Sequence, residues 1–205
     1  MKHEIDPQST SRASAFSMWM SSPMPMVTLT KTLSVGPLCR YARRHHVKFN
    51  ALMCWCIGKA AASIPEFFLL PEQGKLYRYD RLAVNVIVPN AQGGINSCDI
   101  PLSDSLSQFS SDYQSLTTQA ARQCQSSFLE ECMIIGTSAM IQTELDSITN
   151  QYTELFSNPM VMWGRYRKKP FRTLLPVSFQ FHHVQMDGAQ AAQFLENLLR
   201  QIRSL

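Results

Sequence analysis

The sequence predicts an α/β fold: a two-layer sandwich in which a mixed β-sheet carries its helices on one face. Strand-like and helix-like segments alternate through the early chain and a strand pair follows, the pattern of a sheet covered by helices. One helical segment, Ala51 to Ile64, is apolar nearly all round (Leu52, Met53, Trp55, Ile57, Ala60, Ala61, Ala62) and needs a central, buried position. At 205 residues the chain fits one domain over 1–205, with no repeat or linker to divide it.

In chain order, Arg12 to Met20 reads as a helix, broken by Ser21-Ser22-Pro23. Met26 to Leu33 alternates and carries β-branched residues, as a strand does. Pro37 suits the first turn of a short helix, Leu38 to Arg44. Asn50 can cap the apolar helix, which stops before Pro65. Leu82 to Val88 reads as a strand ending at Pro89, with a turn at Gln92-Gly93-Gly94. Ser103 and Asp104 can cap a helix whose apolar residues Leu106, Phe109, Tyr113, Leu116 and Ala120 fall at helical spacing. Met133 to Thr143, Met160 to Tyr166 and Thr173 to Phe181 read as strands, the last two joined through the basic turn Arg167-Lys168-Lys169-Pro170. A final helix buries Ala191, Leu195, Leu198, Leu199 and Ile202.

Composition narrows the function. Net charge is +4, too mild to argue for nucleic acid. Charged residues make up 17%, below the usual quarter, which suits a surface partly buried in an oligomer. No stretch approaches the length of a membrane span. The segment from Met1 to Pro25 carries polar residues throughout and lacks the continuous apolar core of a secretory signal. Cys39, Cys54, Cys56, Cys98, Cys124 and Cys132 therefore read as reduced thiols of a cytoplasmic protein. No metal site is expected, because His45, His46 and the cysteines have no ligand spacing.

The chemistry concentrates in His182-His183-Val184-Gln185-Met186-Asp187-Gly188, between a strand and a helix. Histidine titrates near neutrality and is the natural general base. His183 is the candidate base. Asp187 can brace the turn, either by capping the helix that follows or by pairing with a distant Arg. Two basic clusters, Arg40 to Lys48 and Arg165 to Lys169, could attract a phosphorylated cofactor or an acidic carrier protein, or could be solvated turns.

These residues resemble the CoA-dependent acyltransferase superfamily of chloramphenicol acetyltransferase and the catalytic domain of the dihydrolipoyl acyltransferases. The signature is His-x-x-x-Asp-Gly, here His183 to Gly188. The double His and the strand Leu175 to Phe181 look like chloramphenicol acetyltransferase. The tail Asp187 to Leu195 is more similar to the dihydrolipoyl enzymes. Arg12-x-x-x-Phe16 sits where the family's first helix carries an Arg that pairs with the motif Asp. Ser138-Ala139 followed by Asp146-Ser147 matches the segment that supplies an oxyanion-binding hydroxyl, although Ile141-Gln142 replaces the usual Pro-Trp pair.

The resemblance implies direct acyl transfer in a ternary complex, with the fold of chloramphenicol acetyltransferase. His183 would deprotonate a small-molecule hydroxyl, amine or thiol, and Ser147 would stabilise the oxyanion, with Ser138 and Thr143 as alternatives. Arg12, Asp187 and Gly188 would support the loop. Phe16, Trp19, Met24 and Met162 would line the acceptor pocket. The resemblance further implies a homotrimer with active sites between subunits. It implies no permanently bound cofactor, and acyl-CoA or acyl-phosphopantetheine as co-substrate. An acyl carrier protein as donor, or a non-catalytic trimeric module, are the competing readings. His182 has no assigned role.

Overall fold

A computed structural model describes residues 1–153 and 155–205. The strands are β1 (Lys2–Ile5), β2 (Met26–Ser34), β3 (Leu69–Glu72), β4 (Lys75–Tyr79), β5 (Leu82–Pro89), β6 (Ile95–Pro101), β7 (Met133–Met140), β8 (Met160–Gly164), β9 (Arg167–Lys169) and β10 (Arg172–His182). The helices are α1 (Ala13–Trp19), α2 (Gly36–His45), α3 (Phe49–Ala62), α4 (Leu106–Gln123) and α5 (Gly188–Arg203). The main sheet runs β2-β10-β8-β7-β5-β6, with β9 attached to β10. It is mixed: β5–β7 and β7–β8 are parallel, the other pairs antiparallel. A small second sheet has the order β1-β4-β3.

Strand alternation decides what each face of the main sheet meets. Val177, Phe179 and Phe181 of β10, Val161 and Trp163 of β8, and Val84 and Val86 of β5 enter the core with α3 and α5. Phe179 packs tilted against Phe194 of α5, ring centres 4.5 Å apart. The intervening residues, among them Thr30, Asn85, Gly136, Ser178 and Gln180, face the other way. That second face carries no helix of its own and is crossed by the loop after β7, whose Ile148 N–H donates to Ser178 Oγ at 2.8 Å. Sheet and helices thus form the expected two layers.

The apolar helix α3 lies where its composition places it, with Leu52, Met53, Cys56, Ile57 and Ala60 buried. It approaches the sheet so closely that a Cβ on Gly58 would stand 2.5 Å from Leu102 Cδ1 and 3.3 Å from Val84 Cγ2. Two caps differ from expectation. Lys48, not Asn50, occupies the cap position of α3, leaving Asn50 inside the first turn. Ser105 Oγ caps α4 by accepting from Gln108 N, while Ser103 Oγ accepts from Ser105 N just ahead of the helix. The strand after α4 ends at Met140 rather than Thr143. Among the described residues no helix is long and apolar enough to cross a membrane.

Candidate active site

The loop from His183 to Asp187 is fixed from several directions, mostly through its main chain. Its start is pinned to the sheet entrance, where His183 N donates to Pro25 O at 2.8 Å. Gln185 N and Met186 N turn back onto His182 O, and Gln185 Nε2 reaches Leu69 O of the small sheet at 2.6 Å. Arg12, only 3% exposed, supplies the remaining contacts. Its Nε donates to Val184 O at 2.9 Å and one terminal nitrogen to His183 O at 2.9 Å. The two terminal nitrogens grip the Asp187 carboxylate at 2.6 and 2.8 Å. Such a two-pronged grip is the geometry a guanidinium provides and an ammonium does not.

Asp187 stands at the cap of α5, and its own N–H is satisfied by Gln190 Oε1 at 3.0 Å. Its carboxyl is held below the usual carboxylate range, chiefly by the Arg12 hydrogen bonds, against an opposing contribution from burial. The carboxylate also lies 3.1 Å from His183 Nδ1. That contact is close but poorly aligned, and Nδ1, buried from solvent, has no well-directed hydrogen bond. The imidazole stacks on Trp19, ring centres 4.8 Å apart and planes within 6°. The ring is 29% exposed. With Nδ1 turned inward, Nε2 is the nitrogen that a substrate can reach.

The neighbouring histidine has a different job. His182 is 1% exposed, and its Nδ1 accepts from Val184 N at 3.1 Å, which fixes the proton on Nε2. Burial, with a smaller contribution from His183, pulls its pKa down to about 4. The native state therefore resists protonation there while an unfolded chain takes up a proton near pH 6.5. Stability from this residue should be intact above pH 6.5 and fall progressively toward pH 4, by about 3 kcal/mol in all. Urea unfolding measured across that range checks it. His182→Asn, which keeps an acceptor for Val184 N, should show a shallower acid loss than the parent.

The other expected site residues are scattered. Trp19 reaches His183, as above. Phe16 packs with Leu69, Leu76 and Val184 beneath the loop. Met24 is 66% exposed. Met162 is buried on the second face of the sheet, opposite Ser178. Ser147 is exposed, and its neighbour Ile148 is tied to Ser178. Ser178 precedes His183 by five positions on an extended strand, roughly 16 Å. Thr143 Oγ1 is engaged by Glu144 O, and Ser138 lies within β7. A Cβ on Gly188 would meet nothing within 4 Å, so packing within one chain does not require glycine there. Among the described residues, no group of three or more His, Cys, Asp or Glu side chains gathers as a metal site would need.

Sequence reasoning left the two basic segments undecided; the fold brings the end of the first, Lys48, to the second, while Arg40, Arg43, Arg44 and His45 line a separate cavity with Arg203. Lys48 from the start of α3 and Arg165 and Lys168 from the β8–β9 region line one cavity of about 910 Å³. Phe49 and Tyr166, 5.2 Å apart, form its aromatic wall. Trp163 also contributes to the lining, and its indole N–H is buried without a partner. Glu144 at this cavity is already paired with Arg167 at 3.3 Å. The pairing of Lys48 with Arg165 could not be read from spacing, because sheet topology alone brings them together.

Comparison with known proteins identifies the family and the fold. The family model described as chloramphenicol acetyltransferase matches residues 2–199. Chloramphenicol acetyltransferase 2 of Escherichia coli is 22% identical over 199 residues, 95% of this chain and 93% of that one. A solved chloramphenicol acetyltransferase superposes with a TM-score of 0.85 at 18% identity, covering 98% of this chain and all of that one. A probable dihydrolipoamide acetyltransferase of Listeria monocytogenes gives 0.72 at 12% identity, covering 98% and 94%. A 2-oxoacid dehydrogenase complex core from Thermoplasma acidophilum gives 0.69 at 15%, covering 98% of both chains. At these identities the solved structures establish the shared fold.

Proposed function

The chain belongs to the chloramphenicol acetyltransferase family and is an acyltransferase, and from that premise we propose that His183 is the general base of acyl transfer from acyl-CoA to a small-molecule acceptor. The observation that carries this reading is the His183 loop itself. An imidazole with a buried Nδ1, stacked on Trp19 and carried on a main chain tied to Pro25 and Arg12, presents one nitrogen in one orientation. That is the preorganisation general-base catalysis requires.

In the reaction, Nε2 takes the proton of the acceptor O–H, N–H or S–H as that atom attacks the thioester carbonyl. The tetrahedral intermediate collapses, its C–S bond breaks, and the departing thiolate receives the proton from the imidazolium. Ser147 donates to the oxyanion. Since Ser147 and His183 stand far apart within one chain, the pair is completed between chains. A homotrimer with active sites at subunit boundaries meets that requirement and uses the helix-free face of the sheet.

The cationic cavity supports CoA as donor. Lys48, Arg165 and Lys168 offer charge to a nucleotide phosphate, and Phe49 with Tyr166 offers a stacking wall to a base. Thiol release, assayed with acyl-CoA and with the matching acyl-pantetheine, tests this. Lys48→Ala and Arg165→Ala should each raise KM for acyl-CoA about tenfold, the effect of one charged contact, and leave KM for acyl-pantetheine unchanged. Equal effects on both donors would place the phosphates elsewhere and favour a carrier-borne thioester.

A further inference from the structure

The helix-free face of the main sheet contains a polar row that follows the strand register. Gln180 pairs with Met160, Met160 with Gly136, Gly136 with Asn85, and Asn85 with Asp99. The five residues cross β10, β8, β7, β5 and β6 in sequence, a span of about 19 Å at roughly 4.8 Å per strand. All five line one cavity of about 500 Å³, with the loop residues Asn150 and Thr153 along its edge. Its apolar lining comes from Met160, Phe128 and Phe156 among others.

Both ends of this groove accept hydrogen bonds. At one end, Gln180 is 2% exposed. Its Nε2 is committed to Asn150 O at 3.0 Å, which fixes the amide orientation, and its Oε1 is buried without a partner. At the other end, Asp99 is 3% exposed. Its carboxylate receives only amide donors, Asn85 Nδ2 at 2.6 Å and Leu129 N at 2.9 Å. Among the described residues no Lys, Arg or His lies within ion-pair distance of it. A carboxylate that deep normally has a cationic partner, because its desolvation is otherwise poorly compensated. Between the two ends, Gly136 leaves the floor open for the Met160 side chain, since a Cβ there would stand 2.1 Å from Met160 Sδ.

We propose that this groove binds the acceptor, and that the acceptor is an elongated, largely apolar molecule bearing a protonated amine that anchors at Asp99. The protonated amine is an anchor and not the nucleophile; the acyl group goes to another atom of the same molecule. The identification as acceptor rests on the acyl-transfer reading above, whereas the amine preference is a property of the groove and can be measured without a thioester.

Calorimetric titration of the full-length protein with 4-phenylbutylamine and with the isosteric alcohol 4-phenylbutan-1-ol at pH 7 tests the preference. The parent should bind the amine at least tenfold more tightly than the alcohol. Asp99→Asn should erase that difference, and Gly136→Ala, by displacing Met160 into the groove, should weaken both ligands. Equal affinity for amine and alcohol in the parent overturns the proposal. So does an amine preference that survives in folded Asp99→Asn. Should Asp99→Asn fail to fold, unchanged amine binding by Gly136→Ala overturns it instead. If amine binding behaves as expected but no acceptor supports thiol release, the acyl-transfer reading fails and the groove's specificity stands.

Discussion

Replacing His183 with Ala should lower kcat for thiol release by about a thousandfold or more while leaving the melting temperature nearly unchanged. General-base catalysis by a positioned side chain contributes roughly a hundred- to ten-thousandfold, and no second imidazole can substitute. His182 is buried, with Nδ1 occupied by Val184 N and its charged form disfavoured down to about pH 4. Folding should tolerate the change because the contacts that fix this residue belong to its main chain: N–H to Pro25 O, and carbonyl to Arg12. The side chain contributes a stack on Trp19 and a misaligned contact with Asp187. Steady-state thiol release and a thermal melt on the same preparation read both halves of the expectation. Near-parental turnover in a folded His183→Ala protein would remove the general base from this account.

Arg12→Leu should act in the opposite sense, with a large effect on stability and an indirect one on rate. The guanidinium makes four hydrogen bonds, two to main-chain carbonyls and two to Asp187. Its removal leaves the Val184 and His183 carbonyls short of donors, each at about 1–3 kcal/mol where buried. Asp187 is 46% exposed, so water recovers part of its loss. A total near 3 kcal/mol is expected, or a fall of about 6–12 °C in melting temperature for a chain of this size. The carboxyl group of Asp187, no longer held down by Arg12, should titrate closer to its ordinary value. Acid sensitivity should therefore decrease around the carboxylate range even as overall stability falls. Arg12→Lys should recover the charge but not the paired grip, and should regain only a minor part of the loss. A melt within 2 °C of the parent for Arg12→Leu, a shift of under about 1 kcal/mol, would show that the loop holds itself.

The fold was legible wherever burial imposed a period. β10 announced itself because Val177, Phe179 and Phe181 alternate with polar residues, and α3 because it is apolar nearly all round. The small sheet was not legible. Lys2–Ile5 and Lys75–Tyr79 are short and rich in charge, and the first is largely exposed, so their pairing depends on contacts between segments distant in sequence. The cap of α3 was misread because Asn50 is a good capping residue in isolation, while the chain entering from α2 sets the helix start two residues earlier. At the site, the heptad pointed to His183, and the Arg12–Asp187 pair followed from the family resemblance. The anion-attracting cavity and the polar row were hidden for a common reason. Lys48 with Arg165, and Gln180 with Asp99, become neighbours only through the order of strands in the sheet.

The clasp between Arg12 and the His183 loop joins residues 175 positions apart, and Pro25 adds a second tie from the same early segment. Contacts of such long sequence separation require a large loop to be closed before they gain anything. In refolding, the His183 turn should therefore reach its native geometry after the helices α3 and α4, whose hydrogen bonds are local.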